Sequence, residues 1–169
     1  LTDRGVQVLE FNCRFGNPET LVLMSLLESD LVEAMLACSE GRLTPSHVQI
    51  AHGAAVAVML ASPNYPAETF PVGLPISGTR AATALPNVNL FHHGTACANG
   101  RLVTSRGRVL AVTATAHDLP GALNRVYQAV DKVSFAGAQF RRDIGGVLHL
   151  QKPPIVSWLE KQVGWGTAV

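Results

Sequence analysis

Residues 6–12 alternate in character: period two puts Val6, Val8, Glu10 and Asn12 on one face and Gln7, Leu9 and Phe11 on the other, which predicts a strand. A helix over 18–28 follows, since Asn17 is a favourable N-cap type, Pro18 suits the first helical position and Glu19 suits the positive end of the helix dipole. After a break at Ser29-Asp30, the helical spacing of Leu31, Val32, Met35 and Cys38 predicts a second helix from Asp30 that stops at Gly41. Small, apolar and β-branched residues over 49–61 read as a buried strand, ended by Ser62-Pro63-Asn64-Tyr65-Pro66. Four prolines between Ser62 and Pro75 make that stretch stiff and non-helical.

Further strands are predicted at 88–92, 102–104 and 108–115, with turns at Asn99-Gly100 and Ser105-Arg106-Gly107. Asp118 caps a helix over 118–133, with Pro120 in its first turn and an apolar stripe of Leu119, Leu123, Val126, Val130 and Val133. A last strand over 146–150 and a tail from Lys152 complete the chain. The fold class is therefore α+β: an antiparallel or mixed sheet packed by the helix at 118–133 and by the helical segment at 18–40.

At 169 residues and 47% apolar, the chain can bury a real core, which excludes a disordered tail or a disulfide-stapled miniprotein. Thirteen Lys and Arg against twelve Asp and Glu give a net charge of +1 with no run of either sign, so neither nucleic acid nor an anionic membrane is an expected partner. The longest apolar stretch, 54–61, is too short to span a bilayer, and the opening Leu-Thr-Asp-Arg does not read as a signal peptide. Cys13, Cys38 and Cys97 are odd in number and unpaired in pattern, which fits a reducing, cytoplasmic compartment. The absence of an initiator Met and the opening inside a strand lead us to expect a piece of a longer protein.

Candidate chemistry concentrates at the amino-terminal end. Glu10 and Asn12 share a face with Cα atoms about 6.6–7 Å apart, so a carboxylate and an amide oxygen can converge on a hard cation such as Mg²⁺, and Arg14 can extend towards the same substrate. Spacing alone fits an ordinary exposed strand as well. Phe15-Gly16-Asn17-Pro18-Glu19 then places a helix N-terminus, with its free N–H groups, directly after the strand; this suits an anion and also a plain strand-to-helix turn. Arg141, Arg142 and Asp143 read as a phosphate-binding group or as a charged turn paired within itself. His92 and His93 point to opposite faces, which favours hydrogen bonding over metal binding.

The stretch from Val8 to Thr20, containing Val8-Leu9-Glu10, Asn12, Arg14-Phe15-Gly16-Asn17-Pro18-Glu19, resembles the end of the ATP-grasp domain in the phosphoribosylamine–glycine ligase (glycinamide ribonucleotide synthetase) family, whose pattern there is V-L-E-x-N-x-R-F-G-D-P-E. The resemblance continues in order through Ser29-Asp30-Leu31, Ala61-Ser62, Tyr65-Pro66, Phe91-His92-His93-Gly94-Thr95, the block from Val103 to Ala114 and Arg141-Arg142-Asp143-Ile144-Gly145. It implies ATP-dependent joining of glycine to phosphoribosylamine through a glycyl phosphate in purine synthesis. It further implies Glu10 and Asn12 as ligands of Mg²⁺ or Mn²⁺, Arg14 as the catalytic residue facing the acyl phosphate, and Gly16, Asn17, Arg141 and Arg142 as substrate-binding residues.

The resemblance divides the chain into 1–29, the last strand and helix of an ATP-grasp domain; 30–151, the carboxy-terminal domain; and 152–169, a tail with Trp158 and Trp165 to which no role is assigned. The family's ATP-holding lysines and loops have no counterpart in these residues, so we expect the chain alone to be inactive and to work with the rest of the ligase. Asn17 stands where the family has Asp, Arg106 where it commonly has Gly, His93 where it has a small residue, and Gly146-Val147 where it has a bulky-basic pair. If the Arg106 position needs positive φ, Gly107 must carry the turn. The alternative reading, motivated by Asn17 and the missing ATP-binding part, is a non-catalytic assembly domain that keeps the fold.

Overall fold

The computed structural model describes residues 5–8 and 11–146. Within them the elements run α1 (Glu19–Leu26), α2 (Leu31–Ser39), a 3-10 turn (Pro45–His47), β1 (Ala54–Ala61), α3 (Thr79–Thr83), β2 (Val88–His92), β3 (Thr95–Ala98), β4 (Arg101–Thr104), β5 (Arg108–Ala116) and α4 (Leu119–Val130). The α+β expectation holds. β5 lies between β1 and β2 in an antiparallel three-stranded sheet, and β3 pairs with β4 in a separate hairpin.

Burial explains why β5 is central. Its even positions Leu110, Val112 and Ala114 pack with Val56, Val58 and Leu60 of β1 and with Val126, Val130 and Ala129 of α4 in one apolar cluster. The odd positions Val109, Ala111 and Thr113 are fully buried as well. Val109 joins the cluster beneath α4, and α1 also packs over β1 and β5. A strand covered on both faces needs the near-continuous apolar run that 108–114 supplies. Asp118 caps α4 as expected, accepting from the Gly121 N–H at 2.8 Å, and Asp30 caps α2 through the N–H groups of Val32 and Glu33. Asn99 and Gly100, with φ of 50° and 71°, form the tight turn of the β3–β4 hairpin.

Several expectations are corrected. Of the strand expected over 6–12, residues 6–8 and 11–12 lie in no strand, with Val6, Val8 and Phe11 exposed, and Leu9 and Glu10 lie outside the described residues. Asn17 is not the cap of α1: Pro18 occupies that position without a side-chain cap, and the first turn closes instead through the Thr20 hydroxyl, which donates to the Gly16 carbonyl at 2.5 Å. β1 begins at Ala54 rather than 49, since Gly53, with φ of 131°, turns the chain against the Ala116 carbonyl. Neither Arg106 nor Gly107 has positive φ. Gly107 is required instead because a Cβ there would lie 2.6 Å from the Tyr65 ring. The strand expected at 146–150 falls, beyond Gly146, outside the described residues.

β3 and α3 are additions to the sequence reading. The proline-rich segment is non-helical, as expected, and is held as a partner of β4: Thr104 N–H donates to the Leu74 carbonyl at 2.9 Å and Ile76 N–H to the Leu102 carbonyl at 2.9 Å. α3 begins after Gly78, whose φ is 79° and where a Cβ would lie 1.7 Å from the Lys132 carbonyl, so no other residue fits.

Candidate functional site

The turn that leads into α1 is fixed by its carbonyls. Arg14 Nη1 donates to the Phe15 carbonyl at 2.9 Å, Thr20 takes that of Gly16, Arg108 Nη1 donates to that of Asn17 at 3.0 Å, and Leu21 N–H takes that of Pro18 at 2.9 Å. Four successive acceptors are thus satisfied, two of them by guanidinium groups. Glu19 folds back over the turn: a Cβ on Gly16 would meet the Glu19 carboxylate at 2.3 Å. A carboxylate in the first turn complements the helix dipole, and here it covers Gly16 as well.

Just beyond the turn, the cap residue Pro18, Glu19 and Val22 of α1, Ala55 and Ala57 of β1, Leu119 of α4, and Ile144-Gly145 line a mostly apolar cleft of about 270 Å³. The structure therefore brings Pro18-Glu19 and Ile144-Gly145, the adjoining ends of two sequence motifs, to one cleft, although more than 120 residues separate them. The second segment is clamped by Tyr127, whose hydroxyl donates to the Arg141 carbonyl at 2.9 Å and accepts from Ile144 N–H at 3.1 Å. Gly145, with φ of 73°, packs against the Leu123 side chain.

Both sequence-predicted arginines of that segment have protein partners. Arg141 makes a bidentate pair with Asp143, at 2.9 and 2.6 Å, and this holds the Asp143 carboxyl below its ordinary range and raises Arg141 further. Arg142 bonds Asp131 at 2.8 Å and lies 4.8 Å from the centroid of the Phe140 ring. All four charged groups are exposed, so a stronger anion can compete for the guanidiniums. Cys13, beside the turn that leads into α1, is exposed.

Asn12 and Arg14 are exposed, and Glu10 lies outside the described residues. Among the described residues no group of three or more His, Cys, Asp or Glu side chains could hold a metal ion. An amide oxygen such as that of Asn12 does not bind Mg²⁺ unaided, since the ion requires carboxylate or phosphate oxygens beside it. His92 Nδ1 lies 2.9 Å from Thr95 Oγ1, a hydrogen-bonding role as its position predicts. His93 is half-buried; burial, and next the charge of Arg108, hold its imidazole below the ordinary value.

Arg108 is the residue that sequence reasoning passed over. It stood inside a recognised block, but no local signal ties it to a turn 91 positions earlier. Gly94 has a comparable spatial reason: a Cβ there would lie 2.4 Å from the Arg108 carbonyl and 2.5 Å from the Arg106 side chain.

Comparison with known proteins decides the family. The model of the phosphoribosylglycinamide synthetase C domain matches residues 55–147, more than half of the chain. The chain belongs to this family. It is 45% identical to the phosphoribosylamine–glycine ligase of Chlorobaculum tepidum, over 86% of this chain and 34% of that protein. It is 41% identical to the human trifunctional purine biosynthetic protein adenosine-3, over 96% of this chain and 16% of that protein. The crystal structure of phosphoribosylamine–glycine ligase from Thermotoga maritima superposes with a TM-score of 0.67 at 34% identity, covering 80% of this chain and 32% of that one. The chain thus spans about a third, or less, of the length of these relatives. No helix among the described residues is long and apolar enough to cross a membrane.

Proposed function

We propose that the chain is the carboxy-terminal portion of an ATP-dependent ligase that joins glycine to 5-phosphoribosylamine, giving glycinamide ribonucleotide in purine biosynthesis. The family membership supports this reading, and one observation supports it at the level of residues: Pro18-Glu19, at the start of α1, and Ile144-Gly145, next to Arg141 and Arg142 in sequence, line the same cleft. The glycine carboxylate attacks the terminal phosphorus of ATP and ADP leaves. The amine nitrogen of phosphoribosylamine then attacks the acyl carbon of glycyl phosphate, loses a proton and expels orthophosphate.

In this reading Arg14 is the catalytic residue of the chain, because its planar, permanently charged fork matches the oxygens of an acyl phosphate. Gly16 and Asn17 border the substrate. Arg141 and Arg142 exchange Asp143 and Asp131 for the ribose phosphate. Glu10 and Asn12 would hold Mg²⁺ or Mn²⁺, which when bound screens the triphosphate charge. Residues 1–29 close an ATP-grasp domain, 30–151 form the carboxy-terminal domain, and 152–169 form a tail. The other partner is the remainder of the ligase chain, in the cytoplasm; without it these 169 residues turn nothing over.

The test is the complete protein with Glu10→Gln, which keeps shape and removes the charge opposed to the metal. Turnover at limiting Mg²⁺ falls by orders of magnitude while thermal stability is unchanged. Near-normal turnover of the variant would refute the ligand assignment, and a wild-type protein that makes no glycinamide ribonucleotide would refute the ligase reading itself.

A further inference from the structure

We propose that Arg108, at the start of β5, is a positioning residue that couples the carboxy-terminal domain to the turn bearing Arg14, Gly16 and Asn17; the inference rests on the ligase reading above. The register of the sheet is what places it there. Leu60 pairs with Leu110 and Ala61 with Arg108, so β5 carries one extra residue, Val109, opposite β1. By strict alternation Arg108 would share the face of Leu110 and Val112, beneath α4. A bulge redirects the strand at this point, as bulges do beside functional sites.

The bulge is itself held: the Val109 carbonyl accepts from the N–H groups of both His93 and Gly94, at 3.0 and 2.9 Å. The redirected Arg108 reaches the side where α1 begins and donates to the Asn17 carbonyl at 3.0 Å. The bond is long-range in sequence, charge-assisted, and made to the main chain, so it constrains the path of the turn whatever side chain stands at position 17. Arg14 ties the Phe15 carbonyl of the same turn, so the two guanidiniums grip it two residues apart. Half-buried His93, kept neutral beside Arg108, adds no competing positive charge.

The test uses the complete ligase with Arg108→Ala and Arg108→Lys, read by steady-state kinetics and by amide hydrogen exchange. Loss of a hydrogen bond from a charged donor should lower kcat/KM for glycine or the amine about tenfold or more in Arg108→Ala. Lysine keeps one charged donor and should recover most of that loss. Exchange in the peptide covering 14–22 should accelerate in the alanine variant, while the β1–β5 ladder keeps its protection. Unchanged exchange at 14–22, or a drop in melting temperature with kinetic constants unmoved, would overturn the positioning role. A wild-type protein without ligase activity would defeat the functional reading, yet the exchange experiment would still decide whether Arg108 holds the turn.

Discussion

Asn17 shows how a single side chain can satisfy a local rule and still be used otherwise. Its residue type predicts a helix cap, but its main-chain carbonyl, held by Arg108, is the group that the fold uses. With no capping bond to lose, Asn17→Asp should change stability by less than about 1 kcal/mol, mostly by adding charge near the positive end of α1. On the proposed ligase reading, the same substitution in the complete protein introduces the Asp that the family resemblance implies, and a lower Michaelis constant for glycine or the amine, or a higher turnover, is expected; identical constants would mean that the position is neutral. His93 gives a pH signature. A histidine held below its ordinary 6.5 stays neutral in the folded chain while the unfolded chain binds a proton, so its contribution is complete above 6.5 and is lost as pH falls below it. The melting temperature of wild type should therefore fall between pH 7.5 and 5.5 more than that of His93→Gln, and parallel profiles would contradict the assignment.

At the scale of elements, legibility followed locality. α4 was readable because its cap, its proline and its apolar stripe all lie within one short stretch, 118–133, and Asp118→Ala should cost about 1 kcal/mol through the bond to Gly121. Urea denaturation would measure this; an unchanged midpoint would mean that the cap contributes nothing. Asn99-Gly100 likewise announced a hairpin, although Thr95–Ala98 has too little β-branched character to have been read as its first strand. α3 was invisible because five residues, Thr79–Thr83, establish no period, and its start is dictated by contact between Gly78 and Lys132. The opening alternation is a weaker kind of signal, since a period-two pattern forms a strand only where another strand pairs with it, and residues 6–8 and 11–12 lie in none.

Across the molecule, the sheet was legible and the site only partly so. Folding brings the ends of two motif blocks, Pro18-Glu19 and Ile144-Gly145, to one cleft. The bulge at Val109, the bond from Arg108 and the internal pairing of Arg141 with Asp143 depend on register and long-range contact, which residue spacing does not encode. The ligase reading places its chemistry on the turn before α1, and Arg14 is its most exposed commitment. The deciding measurement is formation of glycinamide ribonucleotide by the complete protein, wild type against Arg14→Ala, at saturating ATP, glycine and phosphoribosylamine. Removing a charged fork that acts on the developing acyl phosphate should lower kcat by roughly a hundredfold or more with the melting temperature unchanged. A variant as fast as wild type would contradict that placement of the chemistry.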